Sequence, residues 1–366
     1  MPIESFEPFA IDPDITRAAT PPSRLYFDPV VYQRVLSRIF VRSWQWLGDR
    51  SAVKVPGQVQ PVSLLEGSLD EPLLLTRDAE DRVHCLSNVC THRGNLVAES
   101  AGTGPFLRCR YHGRRFGLDG RMLSMPEFER AVGFPTAADD LPRVPFGELE
   151  GFLFASLEPA FPLEELLAEV RSRVAFLPLA EAVFDPGRSR DYLVQANWAL
   201  YCDNYLEGFH IPYVHAALAG ALDYGSYRTE LYPYASLQVG VASGGEEVFQ
   251  LPASSPDHGQ SIAAYYYFLF PNTMLNFYPW GLSVNVVKPL AVDRTRVSFL
   301  TYVWAPEKLD RGAGAGLDRV EREDERVVES VQRGVRSRLY DRGRYSPDRE
   351  QGVHHFHGLL ARFLRD

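Results

Sequence analysis

Two short pairs of cysteine and histidine constrain this chain more than any other feature. Cys90 and His92 are separated by one residue, Cys109 and His112 by two, and sixteen residues lie between the pairs. Such a set suits a tetrahedral zinc ion, or a [2Fe-2S] cluster in which two histidines replace two cysteines on one iron. Zinc ligands are commonly spaced as CxxC and HxxxH, so one cysteine and one histidine in each loop favours the cluster. The remaining alternative is four unconnected core residues.

A second pair of histidines lies in the stretch DNYLEGFHIPYVH at 203–215. His210 and His215 are five positions apart, which on a regular helix separates their side chains by about 140°. We expect Pro212 to bend or break the helix between them and to turn both imidazoles towards one ion. Two histidines and a carboxylate form the facial triad of a non-haem Fe(II) oxygenase, which leaves positions open for dioxygen. The alternative is two core histidines with ordinary hydrogen bonds.

The third ligand of such a triad has to come from another part of the chain. In the predicted helix LDRVEREDERVVESVQRGVRSRL, Asp324 falls on a stripe of valines that should face the core. That stripe consists of Val320, Val327, Val328, Val331 and Val335. A carboxylate on a buried face is costly unless a partner neutralises it, and a metal ion would do so. The alternative is a half-exposed acid with no ligand role.

Charge and cysteine content exclude several classes of protein. The net charge of −9 opposes binding to nucleic acid, and four cysteines are too few for a disulfide scaffold in 366 residues.

The sequence contains no run of about 18 apolar residues that would predict a membrane span. The N-terminal stretch has no secretion-signal pattern, so we expect a cytoplasmic protein.

The pattern of apolar residues predicts an α+β protein with two domains. Residues 28–48 have the repeat of an amphipathic helix, and we expect the helical segment 1–44 to belong to the larger domain. Short apolar runs separated by turns predict a small all-β domain over 45–158. Residues 159–366 predict a larger α+β domain whose antiparallel sheet is covered by helices. His354, His355 and His357 are expected to pack within a C-terminal helix.

Together these motifs resemble the terminal oxygenase α subunits of the Rieske non-haem iron oxygenases, over nearly the whole chain. The resemblance implies a small all-β Rieske domain and a helix-grip-like catalytic domain. It also implies that Cys90, His92, Cys109 and His112 hold the [2Fe-2S] cluster, and that His210, His215 and Asp324 hold a mononuclear iron. The sequence departs from the family at Arg114, where an aromatic residue commonly follows YHG.

The resemblance further implies how electrons move and which partners are needed. Glu207, together with Asn204, belongs to the catalytic set. Glu207 falls where the family keeps an acid that links the iron histidine to a Rieske histidine, which would be His112 of a neighbouring chain in a homotrimer. Dioxygen is the co-substrate. No glycine-rich dinucleotide fingerprint is found, so NAD(P)H would act only through a separate flavin or iron-sulfur reductase or a ferredoxin.

The substrate is predicted from the branch of the family that the motifs favour. NYLEGFH, VQRGVRS and HHFH look most like the enzymes that oxidise choline, glycine betaine or carnitine. We therefore expect hydroxylation or oxidative demethylation of a quaternary ammonium or N-methyl compound. Aromatic side chains that could cage such a cation are Tyr205, Phe209, Tyr213, Phe277 and Trp280. The alternatives are an aromatic-ring hydroxylase with a small β subunit, or a Rieske electron-transfer protein without oxygenase chemistry.

Overall fold

The computed structural model describes residues 7–215, 225–311 and 317–365. The chain divides into two compact units: one comprises residues 42–160, and the other joins the residues up to 41 to those from 161 onward. None of the described helices combines the length and the hydropathy that crossing a bilayer requires.

The unit of residues 42–160 is built from short antiparallel strands, which confirms the predicted all-β domain. Its strands are β1 Gln45–Asp49, β2 Gln58–Leu64, β3 Glu71–Arg77, β4 Val83–Ser87, β5 Gly102–Thr103, β6 Leu107–Arg108, β7 Arg115–Phe116, β8 Met122–Ser124, β9 Phe146–Leu149 and β10 Phe152–Ala155. They form three sheets, in the orders β1-β10-β9, β4-β3-β2-β5 and β6-β7-β8. Cys85 is buried in β4, and burial raises the pKa of its thiol to about 12, as befits a core residue.

The N-terminal helix is shorter than the sequence pattern predicts. Helix α1 spans Pro29–Val35 and continues as one π-helical turn over Leu36–Phe40. The prediction of a single helix over 28–48 is therefore wrong at its C-terminal end, because β1 begins at Gln45. There the Trp46 ring packs against those of Phe152 and Phe154 in β10, with centroids 5.2 and 5.5 Å away. Tertiary packing overrides the local helical periodicity at this point.

The larger unit contains one seven-stranded antiparallel sheet. Its strands are β11 Val183–Val194, β12 Arg228–Tyr232, β13 Ala235–Val241, β14 Ile262–Leu269, β15 Thr273–Tyr278, β16 Gly281–Ala291 and β17 Arg294–Val303. They lie in the order β11-β17-β16-β15-β14-β13-β12, so that sequential strands pair from β12 to β17. Strand β15 is buried at every position, as is expected for a strand with both faces covered.

Five further helices accompany this sheet within the described residues. They are α2 Leu163–Arg173, α3 Trp198–Tyr205, α4 Ile211–Val214, α5 Leu317–Gly334 and α6 Gln351–Arg365. Helix α3 begins at a cap in which the Asn197 side chain accepts a hydrogen bond from the backbone N–H of Ala199. Helices α3 and α5 pack together, and α3 also contacts β16. This arrangement, an antiparallel sheet with helices, confirms the predicted fold class.

The histidines of α6 have separate partners, as the prediction of a packed helix requires. His357 is buried, and its ring lies within hydrogen-bonding distance of the Tyr345 hydroxyl. The His354 ring instead contacts the carbonyl of Asp12. Burial lowers the pKa of His355.

Candidate functional site

His210 and His215 converge in the larger unit with Asp324, which lies 109 positions beyond His215 in the sequence. One ligand atom from each of His210, His215 and Asp324 lies within 4.8 Å of the other two. The Oδ1 atom of Asp324 is 3.0 Å from Nε2 of His215 and 3.5 Å from Nε2 of His210. The side chain of His215 is 1% exposed and that of Asp324 14%. Two imidazole nitrogens thus face one carboxylate in a largely enclosed place.

The two histidines converge because they flank a helix of a single turn. Helix α3 ends at Tyr205, and α4 then spans Ile211–Val214, with His210 and His215 as its caps. The prediction that Pro212 bends or breaks a helix between them is therefore wrong, because no single helix spans both histidines. Pro212 lies in the first turn of α4, where its missing N–H would have had no helical partner.

Each histidine is held by a carboxylate on its other ring nitrogen. Glu207 Oε1 lies 2.7 Å from Nδ1 of His210, and Glu323 Oε2 lies 2.8 Å from Nδ1 of His215. Such pairs fix the tautomer and leave Nε2 free to bind a metal ion. Burial lowers the pKa of His215, but the hydrogen bonds and charges of Asp324 and Glu323 outweigh burial, so the pKa is raised.

Glu323 is a functional residue that the sequence analysis missed. It precedes Asp324 in a helix crowded with acids, so nothing in the pattern distinguishes it from its neighbours. Asn204, by contrast, was predicted as part of the catalytic set, and its Nδ2 donates a hydrogen bond of 2.7 Å to Asp324 Oδ1. Helices α3 and α5 therefore both orient the carboxylate of Asp324.

The buried face of α5 differs from the predicted stripe of valines. Val328 and Val335 are buried, but Val331 is 42% exposed. Glu321 and Gln332 share the buried face instead, at 3% and 4% exposure. Because apolar side chains alone defined the predicted stripe, its two buried polar members were overlooked.

The pairing of Glu323 with His215 gives a testable prediction. Glu323→Gln should weaken the binding of Fe(II) or Co(II) at the three-residue group by about 10- to 100-fold, because the imidazole loses a charged acceptor that orients it. Metal titration of the protein measures this affinity. Glu329→Gln, the same chemical change on the same helix, serves as the control. Equal affinities in the two variants would contradict the assigned role.

A cavity of about 130 Å³ opens beside these ligands. Aromatic side chains form much of its wall, and amide and hydroxyl side chains lie among them. The lining includes Tyr201, Asn204, Tyr205, Tyr227, Gln238, Tyr266, Asn276, Tyr278, Ser283, Asn285, Phe299 and Glu321. The strands β13 to β17 contribute most of these residues, so the sheet forms one wall and the helices α3 and α5 form another.

Of the five aromatic residues predicted to surround the substrate, the structure places only Tyr205 in this wall. Phe209 and Tyr213 are 40% and 82% exposed. Phe277 is buried, with its ring against Tyr267. Trp280 lines a neighbouring cavity instead. These four predictions are therefore wrong; for Phe277 the reason is the strand register, which the apolar pattern did not determine.

Glu321 is the second functional residue that the sequence analysis missed. Its Oε2 accepts a hydrogen bond of 2.5 Å from the Tyr201 hydroxyl. Burial, with a further contribution from the nearby charge of Asp324, raises the pKa of Glu321 to about 8. A buried acid that faces a cavity is a common feature of functional sites.

In the unit of residues 42–160, the two predicted ligand loops have the same construction. The backbone N–H of Gly94 donates to the carbonyl of Cys90, and that of Gly113 donates to the carbonyl of Cys109. Both glycines have φ above +70°, which an L side chain rarely adopts. Each loop thus turns back on its cysteine within four residues.

The four predicted cluster ligands come together at the tips of these loops. The rings of His92 and His112 have centroids 4.8 Å apart. Burial raises the pKa of Cys90, and the adjacent thiol of Cys109 adds to this effect. Both cysteines are buried and free of disulfide bonds. A pair of thiols and a pair of imidazoles fit a [2Fe-2S] cluster in which two cysteines bind one iron and two histidines bind the other.

Arg114, where the sequence departs from its family, is a buried structural residue. Its side chain is 2% exposed and lies over the rings of Phe116 and Phe134. Its Nη2 donates a hydrogen bond of 2.6 Å to Asp139 Oδ1. The Thr91 hydroxyl, from the other ligand loop, donates to the Asp139 carbonyl. Both ligand loops are therefore hydrogen-bonded to Asp139.

Comparison with known proteins identifies both units. The family described as the ring hydroxylating alpha subunit (catalytic domain) matches residues 183–366, and the Rieske [2Fe-2S] domain matches residues 43–142. The chain is 32% identical to chloroplastic choline monooxygenase of Arabidopsis thaliana, over 97% of this chain and 85% of the relative. It is 28% identical to the carnitine monooxygenase oxygenase subunit of Escherichia coli K12, over 98% and 97%.

Solved structures share the fold. The quaternary ammonium Rieske monooxygenase CntA in complex with its substrate L-carnitine has a TM-score of 0.73 at 22% identity, covering 94% of this chain and 96% of that one. Naphthalene 1,2-dioxygenase from a Rhodococcus species, bound to indole, has a TM-score of 0.72 at 19% identity, covering 94% and 93%.

Proposed function

Because the chain belongs to the Rieske non-haem iron oxygenases, as an α subunit with both characteristic domains, we propose that it oxidises a small quaternary ammonium compound. The observation that supports this substrate is an aromatic cavity that also carries carboxyl groups, beside the His210, His215 and Asp324 group. Aromatic faces and acids both attract cations. Relatives named for choline and carnitine oxidation agree with this chemistry.

The residues of the two sites would bind different metal groups. Cys90, His92, Cys109 and His112 would hold the cluster, whereas the facial triad would hold the mononuclear iron, and both donor sets fit these groups. When bound, the cluster supplies one-electron transfer and the iron supplies dioxygen activation. An electron-transfer protein alone would need no second metal group of this kind.

Within the catalytic unit, the chain's own residues orient the reaction. Asn204 fixes the Asp324 carboxylate, and Glu207 and Glu323 fix the two imidazoles. The aromatic wall would limit the access of water to the C–H bond that reacts, which limits side reactions.

The assembly and the electron supply complete the proposal. As an oxygenase of this family, the chain requires a partner reductase, which we propose to be an NAD(P)H-dependent flavin or iron-sulfur protein or a ferredoxin. In a homotrimer, Glu207 would link His210 to the partner subunit's His112, so that electrons pass between chains. The free, buried state of all four cysteines supports a reducing, cytoplasmic location.

Single-turnover oxidation tests the proposed function. Protein whose cluster has been chemically reduced is mixed with ¹⁸O₂ and one candidate compound, and products are identified by mass spectrometry. We expect choline, glycine betaine or carnitine to yield a hydroxylated or demethylated product. Naphthalene and indole are the comparison compounds. Labelled product from the aromatic compounds alone would support a ring hydroxylase and overturn the proposal.

A further inference from the structure

Glu321 has one carboxyl oxygen that the described residues leave without a partner. Its Oε2 accepts the hydrogen bond from Tyr201, but its Oε1 is buried and has no hydrogen-bonding partner. The residue is 3% exposed and lines the cavity beside the metal ligands. A buried carboxyl oxygen without a partner costs free energy, so its retention beside a cavity points to a ligand whose charge or hydrogen bonds offset this cost.

The other acids of the cavity are already engaged. Glu207 is bound to His210, and Asp324 faces both histidines and accepts a hydrogen bond from Asn204. A metal ion at the histidines would be balanced largely by Asp324. Glu321 is therefore the acid whose charge is available to a molecule in the cavity.

Apart from His210 and His215, no basic side chain of the described residues lines this cavity. The two internal stretches outside the description, 216–224 and 312–316, contain neither lysine nor arginine in the sequence. A carboxylate group of a ligand would thus lie against a wall that contains acidic side chains but no guanidinium or ammonium group. Burying an unpaired charge in such surroundings is strongly unfavourable.

Two arginines line a neighbouring cavity, and both form ion pairs there. This cavity shares Ser283 and Phe299 with the first one and is also lined by Arg188 and Arg190. Arg188 forms two hydrogen bonds with Asp310, at 2.8 and 2.9 Å, and Arg190 forms one of 3.0 Å with Asp318. These ion pairs leave no uncompensated positive charge to receive an acid group.

The remaining polar groups of the wall are neutral and suit a hydroxyl. Asn276 accepts from the Tyr205 hydroxyl at 2.7 Å, and the Ser283 hydroxyl donates to Asn285 Oδ1 at 3.0 Å. Amides and hydroxyls both donate and accept, so an alcohol can join this network without a change in charge.

We propose that Glu321 is the counter-ion of a cationic substrate that carries no acid group, a quaternary ammonium alcohol of the choline type. The inference rests on the proposed function and specifies its substrate class. A quaternary ammonium group donates no hydrogen bond, so it is held by charge and by aromatic side chains; Tyr201, which lines the cavity and bonds the carboxyl group, is one of these. An enclosed cavity strengthens this attraction relative to water.

The state of Glu321 without a ligand is consistent with this role. Burial raises the pKa of Glu321 to about 8, so that the empty cavity favours the neutral acid at pH 7. A cation that binds in the cavity favours the ionised form of Glu321 over the neutral acid. The carboxyl group then releases its proton as the cation binds, and the charge of the cavity stays unchanged.

Calorimetric binding to the metal-loaded protein tests the proposal without measuring turnover. The probes are choline, glycine betaine and 3,3-dimethylbutan-1-ol, a neutral molecule with the shape of choline. We expect the wild-type protein to bind choline at least about tenfold more tightly than either other compound. In Glu321→Gln, which keeps an acceptor for Tyr201, choline affinity should fall at least about tenfold while the neutral alcohol binds as before.

The control and the contrary outcomes separate this inference from the proposed function. Glu329→Gln should bind choline as the wild type does, and metal content should be the same in all three proteins. Unchanged choline affinity in Glu321→Gln, or glycine betaine bound as tightly as choline, would overturn the inference alone. If the wild type binds neither choline nor glycine betaine, the inference fails, and the lack of any product from these compounds and carnitine in the single-turnover experiment would show that the proposed function fails with it.

Discussion

Asp324→Ala is expected to remove the mononuclear iron and abolish oxidation while leaving the cluster in place. The variant loses the ligand oxygen that both histidines face, so two imidazoles alone would remain to bind the ion. Metal and acid-labile sulfide analysis should show a fall from about three irons per chain to about two, with two sulfides in both proteins. The visible absorption of the cluster should be unchanged, because its ligands lie in the other unit.

The control for this variant is Asp318→Ala. Asp318 is an acid on the same helix, but it bonds Arg190 and Tyr192 rather than the histidines. This protein should retain all of its iron. A third iron that persists in Asp324→Ala would show that the group of three residues is not the metal site.

Glu207→Gln, loaded with an excess of Fe(II), is expected to hold iron at both sites yet slow product formation in a single turnover by about 100-fold. Glu207 holds the His210 ring through Oε1 and accepts the backbone N–H of His210 through Oε2, at 3.0 Å. The amide cannot carry the negative charge that the proposed link to the partner subunit's His112 requires. Stopped-flow absorption follows the oxidation of the reduced cluster when dioxygen and substrate are added.

Two measurements distinguish loss of this link from simple disorder at the site. Iron analysis should show that Glu207→Gln retains its mononuclear iron, and Glu207→Asp, which keeps the charge, should recover part of the rate. Cluster oxidation in Glu207→Gln at the wild-type rate would contradict the role of Glu207 in electron transfer.

The metal ligands could be predicted from sequence because the chain brings most of them together locally. Cys90 with His92, and Cys109 with His112, each occupy one tight loop, and His210 and His215 flank one turn of helix. Residue type and spacing are then sufficient to indicate the chemistry. The all-β and α+β units followed from equally local patterns of apolar residues.

The cavity wall could not be predicted in the same way, because it depends on strand register. Tyr266, Asn276 and Ser283 come from three neighbouring strands, with Tyr266 opposite Asn276 and Asn276 opposite Ser283. A shift of one residue would turn each of these side chains to the other face. A choice based on aromatic residues alone therefore led to Phe277. This residue is next to Asn276 on β15, and its side chain points to the opposite face of the sheet.

Buried charge was the other gap in the sequence analysis. Glu321, Glu323 and Arg114 each lie among residues of similar polarity, and sequence gives no measure of which charged side chains turn inward. Their partners, Tyr201, His215 and Asp139, are at least 25 positions away along the chain. Such pairings become visible only in three dimensions.

The division of the cavity between helix and sheet has a consequence for how this enzyme could diverge or be redesigned. Helix α5 carries the proposed counter-ion Glu321 within three positions of Glu323 and Asp324, so selectivity on this wall depends on a helix that also orients the iron ligands. The opposite wall is assembled from single side chains on separate strands, such as Gln238 and Asn285, that do not orient the iron ligands. New substrate preferences are therefore most accessible through the strands, one side chain at a time.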